Sequence, residues 1–177
     1  MSTPQSVEDL RRVIRDVPDY PRPGILFKDI TPLLGAPESF RAAVQLMQER
    51  AAEMRPDRIV AIESRGFILG AALADRLGVG FVPVRKKGKL PWQRVECTYD
   101  LEYGTDTVEM HADALRPGER ALIVDDVIAT GGTARAAGQL VRTLGAQVAG
   151  YLFLIELGFL NGRRLLEGED VRALIVF

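Results

Sequence analysis

The sequence predicts an α/β domain, with a central, mostly parallel sheet flanked by helices. Three observations carry that prediction. Short runs at residues 58–62, 79–84, 120–124, 148–155 and 172–177 are apolar on both faces, as strands covered by helices on both sides must be. Between them lie segments of helical period at 66–77 and 133–144, and this alternation favours parallel strands joined by crossover helices. Residues 86–112 break the texture. They are polar, with weak alternation at Tyr99, Leu101 and Tyr103 and then at Val108 and Met110, the signature of an antiparallel hairpin.

Taken in order, residues 7–16 place Val7, Leu10, Val13 and Ile14 on one helical face. Pro18, Pro21, Pro23 and Gly24 then forbid continuation of a helix and predict a loop. Pro37 and Glu38 open the next helix, whose apolar positions Phe40, Val44, Leu46, Met47 and Ala51 keep a helical period. Gly145 is placed to close the helix over 133–144. The hairpin turn is expected near Gly104-Thr105-Asp106, and so long an excursion inside a compact domain predicts a functional lid over 86–112.

At 177 residues the chain fits one domain, 1–177, without repeats or linkers. Its formal net charge of −1 gives no global attraction to nucleic acid or to anionic membranes. The single Cys97 excludes an internal disulfide and a cysteine-cluster metal site, so a reducing cytoplasm is the simplest setting. The apolar runs are too short for a membrane span, which needs about 20 residues.

The most informative run is Ala121-Leu122-Ile123-Val124-Asp125-Asp126-Val127-Ile128-Ala129-Thr130-Gly131-Gly132-Thr133. It reads as a buried strand ending in two carboxylates, followed by a small-residue loop and a helix. Helix N-termini offer unpaired N–H groups and the positive end of the dipole, which favour phosphate. The carboxylates repel phosphate, so they suit sugar hydroxyls or a bridging metal. Together these features fit a sugar phosphate. A capped turn with two solvated acids is the alternative, and similar strand–acid–loop patterns occur in receiver domains of two-component regulators.

Glu63-Ser64-Arg65-Gly66 repeats the device, with a guanidinium suited to two-pronged pyrophosphate contacts or, more plainly, to a local pair with Glu63. Arg85-Lys86-Lys87-Gly88-Lys89-Leu90-Pro91 is a cationic run leaving a strand end. It is either a solvated face or a neutraliser of an anionic leaving group. His111 is expected to be satisfied locally in a strand, and Cys97 lacks a neighbouring His to activate it.

The run at 121–133 resembles the phosphoribosyl pyrophosphate signature of type I phosphoribosyltransferases. That resemblance implies the fold of the family, with a small N-terminal base-binding hood (1–35) and a flexible lid. It implies that Asp125 and Asp126 meet ribose hydroxyls, while Ala129, Thr130, Gly131, Gly132 and Thr133 grip the 5′-phosphate. Arg65, Lys86 and Lys89 are implied at the pyrophosphate, with Arg85 and Lys87 left to a subunit interface. Tyr20-Pro21-Arg22-Pro23-Gly24-Ile25-Leu26-Phe27-Lys28-Asp29-Ile30-Thr31-Pro32 is similar to the base-binding segment of the branch that uses adenine. Gly88-Lys89-Leu90-Pro91 and Tyr99-Asp100-Leu101-Glu102-Tyr103-Gly104 match the ends of its lid.

On that basis the Leu26 carbonyl and Lys28 N–H would read adenine, and the Phe27 ring would stack on it. Lys28 stands where the family more often shows Arg. Glu102 would be the acid/base, with Tyr103 beside it in the lid and Arg65 assisting catalysis. The implied reaction takes adenine and phosphoribosyl pyrophosphate to AMP and pyrophosphate, with Mg²⁺ as cofactor. The ion would be held mainly by the substrate and water, reaching the protein through Asp125 and Asp126 if at all. A homodimer is implied, with neither nucleic acid nor membrane as partner. Specificity for xanthine or for hypoxanthine and guanine, and a non-catalytic sensor of phosphoribosyl pyrophosphate, remain open alternatives.

Overall fold

The structure is a computed structural model that describes residues 6–100 and 104–177. It forms two compact units, which divide between Leu46 and Met47.

The first unit opens with α1 (Val7–Val13), capped by the Ser6 side chain accepting from the Asp9 N–H. The helix stops before the expected residue 16. Arg15 and Asp16 instead enter β1 (Arg15–Pro18), which pairs antiparallel with β2 (Leu26–Asp29). The Pro-rich stretch is the loop that the sequence predicts, and it connects the two strands of a small hairpin, with Pro18 ending β1. Proline tolerates the edge and end positions that such a ribbon offers. A short α2 (Thr31–Gly35) precedes α3 (Pro37–Met54), whose start at Pro37 agrees with the sequence reading.

The second unit is built on a seven-stranded sheet. Its strands are β3 (Arg58–Ile62), β4 (Gly80–Lys86), β5 (Arg94–Asp100), β6 (Thr105–His111), β7 (Arg120–Ile128), β8 (Gln147–Glu156) and β9 (Val171–Val176). They lie in the order β5-β6-β4-β3-β7-β8-β9. The five from β4 to β9 in that order pair in parallel, and the β5–β6 hairpin extends the edge antiparallel through Arg85↔Glu109. Ile59, Val60, Ala61, Leu122, Ile123, Val124 and residues 152–155 are all fully buried, which explains the unbroken apolar runs.

Crossovers are made by α4 (Arg65–Leu77) and α5 (Gly132–Thr143). Gly145 lies just beyond the α5 cap at φ +77°, and its N–H donates to Arg142 O. Between β8 and β9 the chain makes two 3₁₀ turns, Gly158–Leu160 and Gly162–Leu166. The polar excursion is mostly strand: the last described pair of its hairpin is Asp100↔Thr105. Thr105 and Asp106 thus belong to β6, and Gly104 stands just before it at φ +91°. No helix among the described residues is long and apolar enough to cross a membrane.

Candidate active site

The β3–β7 ladder ends at Ala61↔Val124, whereas β7 stays paired with β8 through Ile128↔Glu156. Past Ala61 the chain turns from β3 into α4, and the edge of β7 that faced it opens into a crevice. Such crevices at strand carboxyl ends are where open parallel sheets place ligands. A cavity of about 400 Å³ fills this one, lined by residues 62–65, Lys86, Tyr99, Asp106, Val108 and residues 125–134. Asp125 and Asp126 therefore sit inside β7, not at its end as the sequence suggested.

Their placement depends on α4 approaching closely. A Cβ on Gly66 would stand 2.7 Å from Asp125 Oδ1 and 3.1 Å from Val124 O, so only glycine lets the helix start here. Asp125 Oδ1 accepts from the Asp126 N–H at 2.8 Å. Burial, reinforced by the neighbouring Asp126 charge, pushes the Asp125 carboxyl well above its usual range. Asp126 is buried, and its Oδ2 lies 2.6 Å from Arg65 Nε. That contact is a charge pair without hydrogen-bond alignment. The guanidinium thus pairs with Asp126, and the local Glu63–Arg65 pair considered from sequence does not form. Glu63 instead holds Arg85 (Nε to Oε2, 2.9 Å) and Lys89 (Nζ to Oε1, 2.7 Å). Burial opposes its charge, yet these donors and the Lys86 N–H keep its carboxyl below the usual range.

Neither helix that reaches the cavity is capped by a side chain. The N-cap of α5 is Gly131 at φ +85°, and that of α4 is Ser64. Their first N–H groups are therefore available to an anion. Thr133, in the first turn of α5, donates its hydroxyl to Tyr99 Oη at 2.9 Å. Tyr99 Oη in turn reaches Asp106 Oδ2 at 3.4 Å, and Lys86 Nζ donates to the same oxygen at 2.8 Å. The bond to Asp106 raises the Lys86 ammonium pKa. Burial raises the Tyr99 phenol.

Arg65, Lys86 and Lys89 are each held by a carboxylate (Asp126, Asp106 and Glu63). Lys86 lines the cavity; Lys89 does not, and touches it only through Glu63. Arg85 and Lys86 lie within β4, so the basic run begins in a strand. Lys87 pairs with Glu96 at 3.2 Å.

Three contributors were not legible in the sequence. Tyr99 and Asp106 look like ordinary hairpin residues, and only the sheet register brings them over the cavity. Glu109 is fully buried and accepts from the Gly88, Lys89 and Leu90 N–H groups at 3.0, 2.8 and 2.6 Å. Arg94 Nε stands 2.9 Å from it. These donors outweigh the burial that would raise the Glu109 carboxyl and hold it low. A charged residue between Val108 and Met110 was the one available hint.

His111 departs from expectation, since its Nε2 is buried without a hydrogen-bond partner among the described residues. Cys97 Sγ donates to Gln139 Oε1 at 2.8 Å, and burial raises its thiol, as befits an inert cysteine. Glu102 and Tyr103 lie outside the described residues. Leu26, Phe27 and Lys28 form most of β2 in the first unit. There the Tyr20 and Phe27 rings meet edge to face at 5.2 Å, and Lys28 Nζ donates to Asp16 at 2.6 Å.

Residues 31–166 match the family described as the phosphoribosyl transferase domain. Over 169 residues the chain is 56% identical to the adenine phosphoribosyltransferase of Carboxydothermus hydrogenoformans, covering 96% of this chain and 99% of that one. The adenine phosphoribosyltransferase of Synechococcus sp. (strain JA-3-3Ab) is 62% identical over 162 residues, or 91% of this chain and 93% of that protein. Among solved structures, that of adenine phosphoribosyltransferase from Thermoanaerobacter pseudethanolicus superposes with a TM-score of 0.95 at 49% identity, covering 97% of this chain and 100% of that one. The Saccharomyces cerevisiae enzyme, complexed with adenine and an imino-altritol bisphosphate, gives 0.89 at 44% identity over 95% of this chain and 97% of that one.

Proposed function

Since the chain belongs to the adenine phosphoribosyltransferases of the phosphoribosyl transferase domain family, we propose that it joins adenine to phosphoribosyl pyrophosphate, giving AMP and pyrophosphate. One observation carries the assignment of roles. A single cavity gathers two adjacent carboxylates, two uncapped helix N-termini and the cations Arg65 and Lys86. A ribose carrying a phosphate at one end and a pyrophosphate at the other presents the complementary groups.

In this reading the 5′-phosphate sits on residues 129–133, where N–H groups and Thr hydroxyls donate to it. Asp125 and Asp126 accept from the ribose 2′- and 3′-hydroxyls. Arg65, Lys86 and Lys89 exchange their present carboxylate partners for pyrophosphate oxygens, so binding replaces one set of ion pairs by another. As the C1′–O bond breaks, its electron pair leaves with pyrophosphate, where these cations stabilise it. Adenine N9 bonds to C1′ and loses its proton, for which Glu102 is the assigned acceptor.

The base is assigned to β2. The Leu26 carbonyl would take the adenine 6-amino hydrogen and the Lys28 N–H would face N1, with Phe27 stacked on the ring. A 6-oxo base reverses that donor–acceptor pattern and would leave polar groups unpaired. Because backbone groups do the reading, lysine at position 28 leaves base choice intact.

Mg²⁺ fits the donor set. Asp125 and Asp126 offer hard oxygens at the cavity, but the described residues hold no group of three ligands that would cage an ion. Strongly hydrated Mg²⁺ would be carried largely by the substrate. When bound, it would offset pyrophosphate charge. We further assign the protein to the cytoplasm and to a homodimer, the latter testable by gel filtration.

Turnover with adenine, hypoxanthine, guanine and xanthine, each with phosphoribosyl pyrophosphate and Mg²⁺, tests the proposal. Reaction with adenine alone is expected. Reaction with a 6-oxo base instead would overturn the base assignment, and no reaction with any base would favour a sensor.

A further inference from the structure

Behind the phosphate-type loop stands a segment to which the reaction assigns nothing, the turn that leads from β8 into the second 3₁₀ helix. We propose that Gly162, locked by the Arg163–Glu156 pair, is a positioning device that sets the shape of the loop at residues 129–133. This rests on that loop holding the 5′-phosphate.

The backbones of the two segments touch with no room for a side chain. A Cβ on Gly162 would lie 2.3 Å from Ala129 O and 3.0 Å from Gly131 N. The contact is reciprocal, since a Cβ on Gly131 would lie 2.3 Å from Gly162 O. Gly131 also sits at φ +85°, which an L side chain rarely adopts. Two glycines from distant parts of the chain are thus fitted back to back. The carbonyl of Ala129 and the N–H of Gly131 are held from behind while the front of the loop faces the cavity.

The turn itself is fixed to the end of the sheet. Arg163 donates through Nε and Nη2 to the two oxygens of Glu156, at 2.7 and 2.6 Å, and through Nη1 to Val171 O at 2.5 Å. Glu156 is nearly buried and is the last residue of β8, paired with Ile128 at the end of β7. The Leu157 N–H donates to Ile128 O at 3.0 Å. One planar guanidinium therefore ties the strand end, the turn and β9 together, a geometry that a lysine cannot copy. Loop donors act on an anion only if their N–H vectors converge beforehand, so a rigid back wall converts directly into affinity for the 5′-phosphate.

The test separates this role from general support. Affinities for ribose 5-phosphate and, separately, for inorganic pyrophosphate are measured by calorimetry on the wild type, Gly162→Ala and Arg163→Lys. Misaligning one or two charge-assisted bonds should weaken ribose 5-phosphate by roughly 10- to 100-fold. Pyrophosphate binding should stay within about 2-fold, because its partners lie on other elements. KM for phosphoribosyl pyrophosphate should rise more than kcat falls. If Gly162→Ala does not fold, Arg163→Lys, which adds no atom to the contact, carries the same comparison. Unchanged ribose 5-phosphate affinity in a folded variant overturns the brace, as does an equal loss for both ligands. A wild type that binds pyrophosphate but not ribose 5-phosphate overturns the loop assignment itself, a distinct result.

Discussion

Replacing Glu109 by Ala should destabilise the protein by about 1–4 kcal/mol, although the residue touches none of the reacting groups. The size follows from its partners. The Leu90 N–H is buried, and losing its acceptor leaves it unpaired, at about 1–3 kcal/mol. Gly88 and Lys89 are exposed, so their N–H groups can turn to water and cost little. Arg94 is 36% exposed, so losing its partner adds about 0–1 kcal/mol. For a chain of this size the sum corresponds to a fall in Tm of roughly 2–16 °C. Urea unfolding followed by circular dichroism, at one fixed protein concentration, measures it.

The acid dependence has a definite sign. The Glu109 carboxyl is held low in the folded protein, so its stabilisation is present above the unfolded value of about 4.3. It is lost as pH falls through the folded-state value. The gap between wild type and Glu109→Gln should therefore be widest near neutrality and close below about pH 4. A loss under about 0.5 kcal/mol for Glu109→Ala, or a gap that does not narrow in acid, would refute this account of the basic turn.

Asp125→Asn should show the opposite sign at neutral pH. Burial and the Asp126 charge raise the Asp125 carboxyl when folded, so the wild type loses stability as pH climbs through that range, and the neutral amide escapes the loss. The variant should melt higher than wild type at pH 7 while losing most activity, and a lower Tm would contradict the assignment. Glu102→Gln should reduce kcat by about 10²-fold or more if this residue moves the purine proton. Full turnover in a steady-state assay would remove it from that role.

Some of the protein was settled by local sequence alone. Apolar runs such as Ile59–Ile62 and Leu122–Val124, alternating with helical segments, read as strands covered on both faces, and the small-residue loop before α5 follows from backbone sterics. The Asp125-Asp126 pair beside that loop suggests a sugar phosphate, because acceptors for hydroxyls and a small-residue loop at a helix N-terminus stand within a few residues of each other. What local sequence lacks is partner identity. From sequence Arg65 could face pyrophosphate or pair with Glu63, and its pairing with Asp126 came only from the meeting of α4 with β7 at Gly66.

Tyr99 and Asp106 acquire meaning from hairpin register. The brace at Gly162 and the anchor at Glu109 were invisible because each joins residues about 20 or more positions apart through backbone atoms. Side-chain chemistry is written residue by residue and can be read that way. Which carboxylate neutralises which cation, and which backbone presses against which, are set by packing, and packing exists only once the chain has folded.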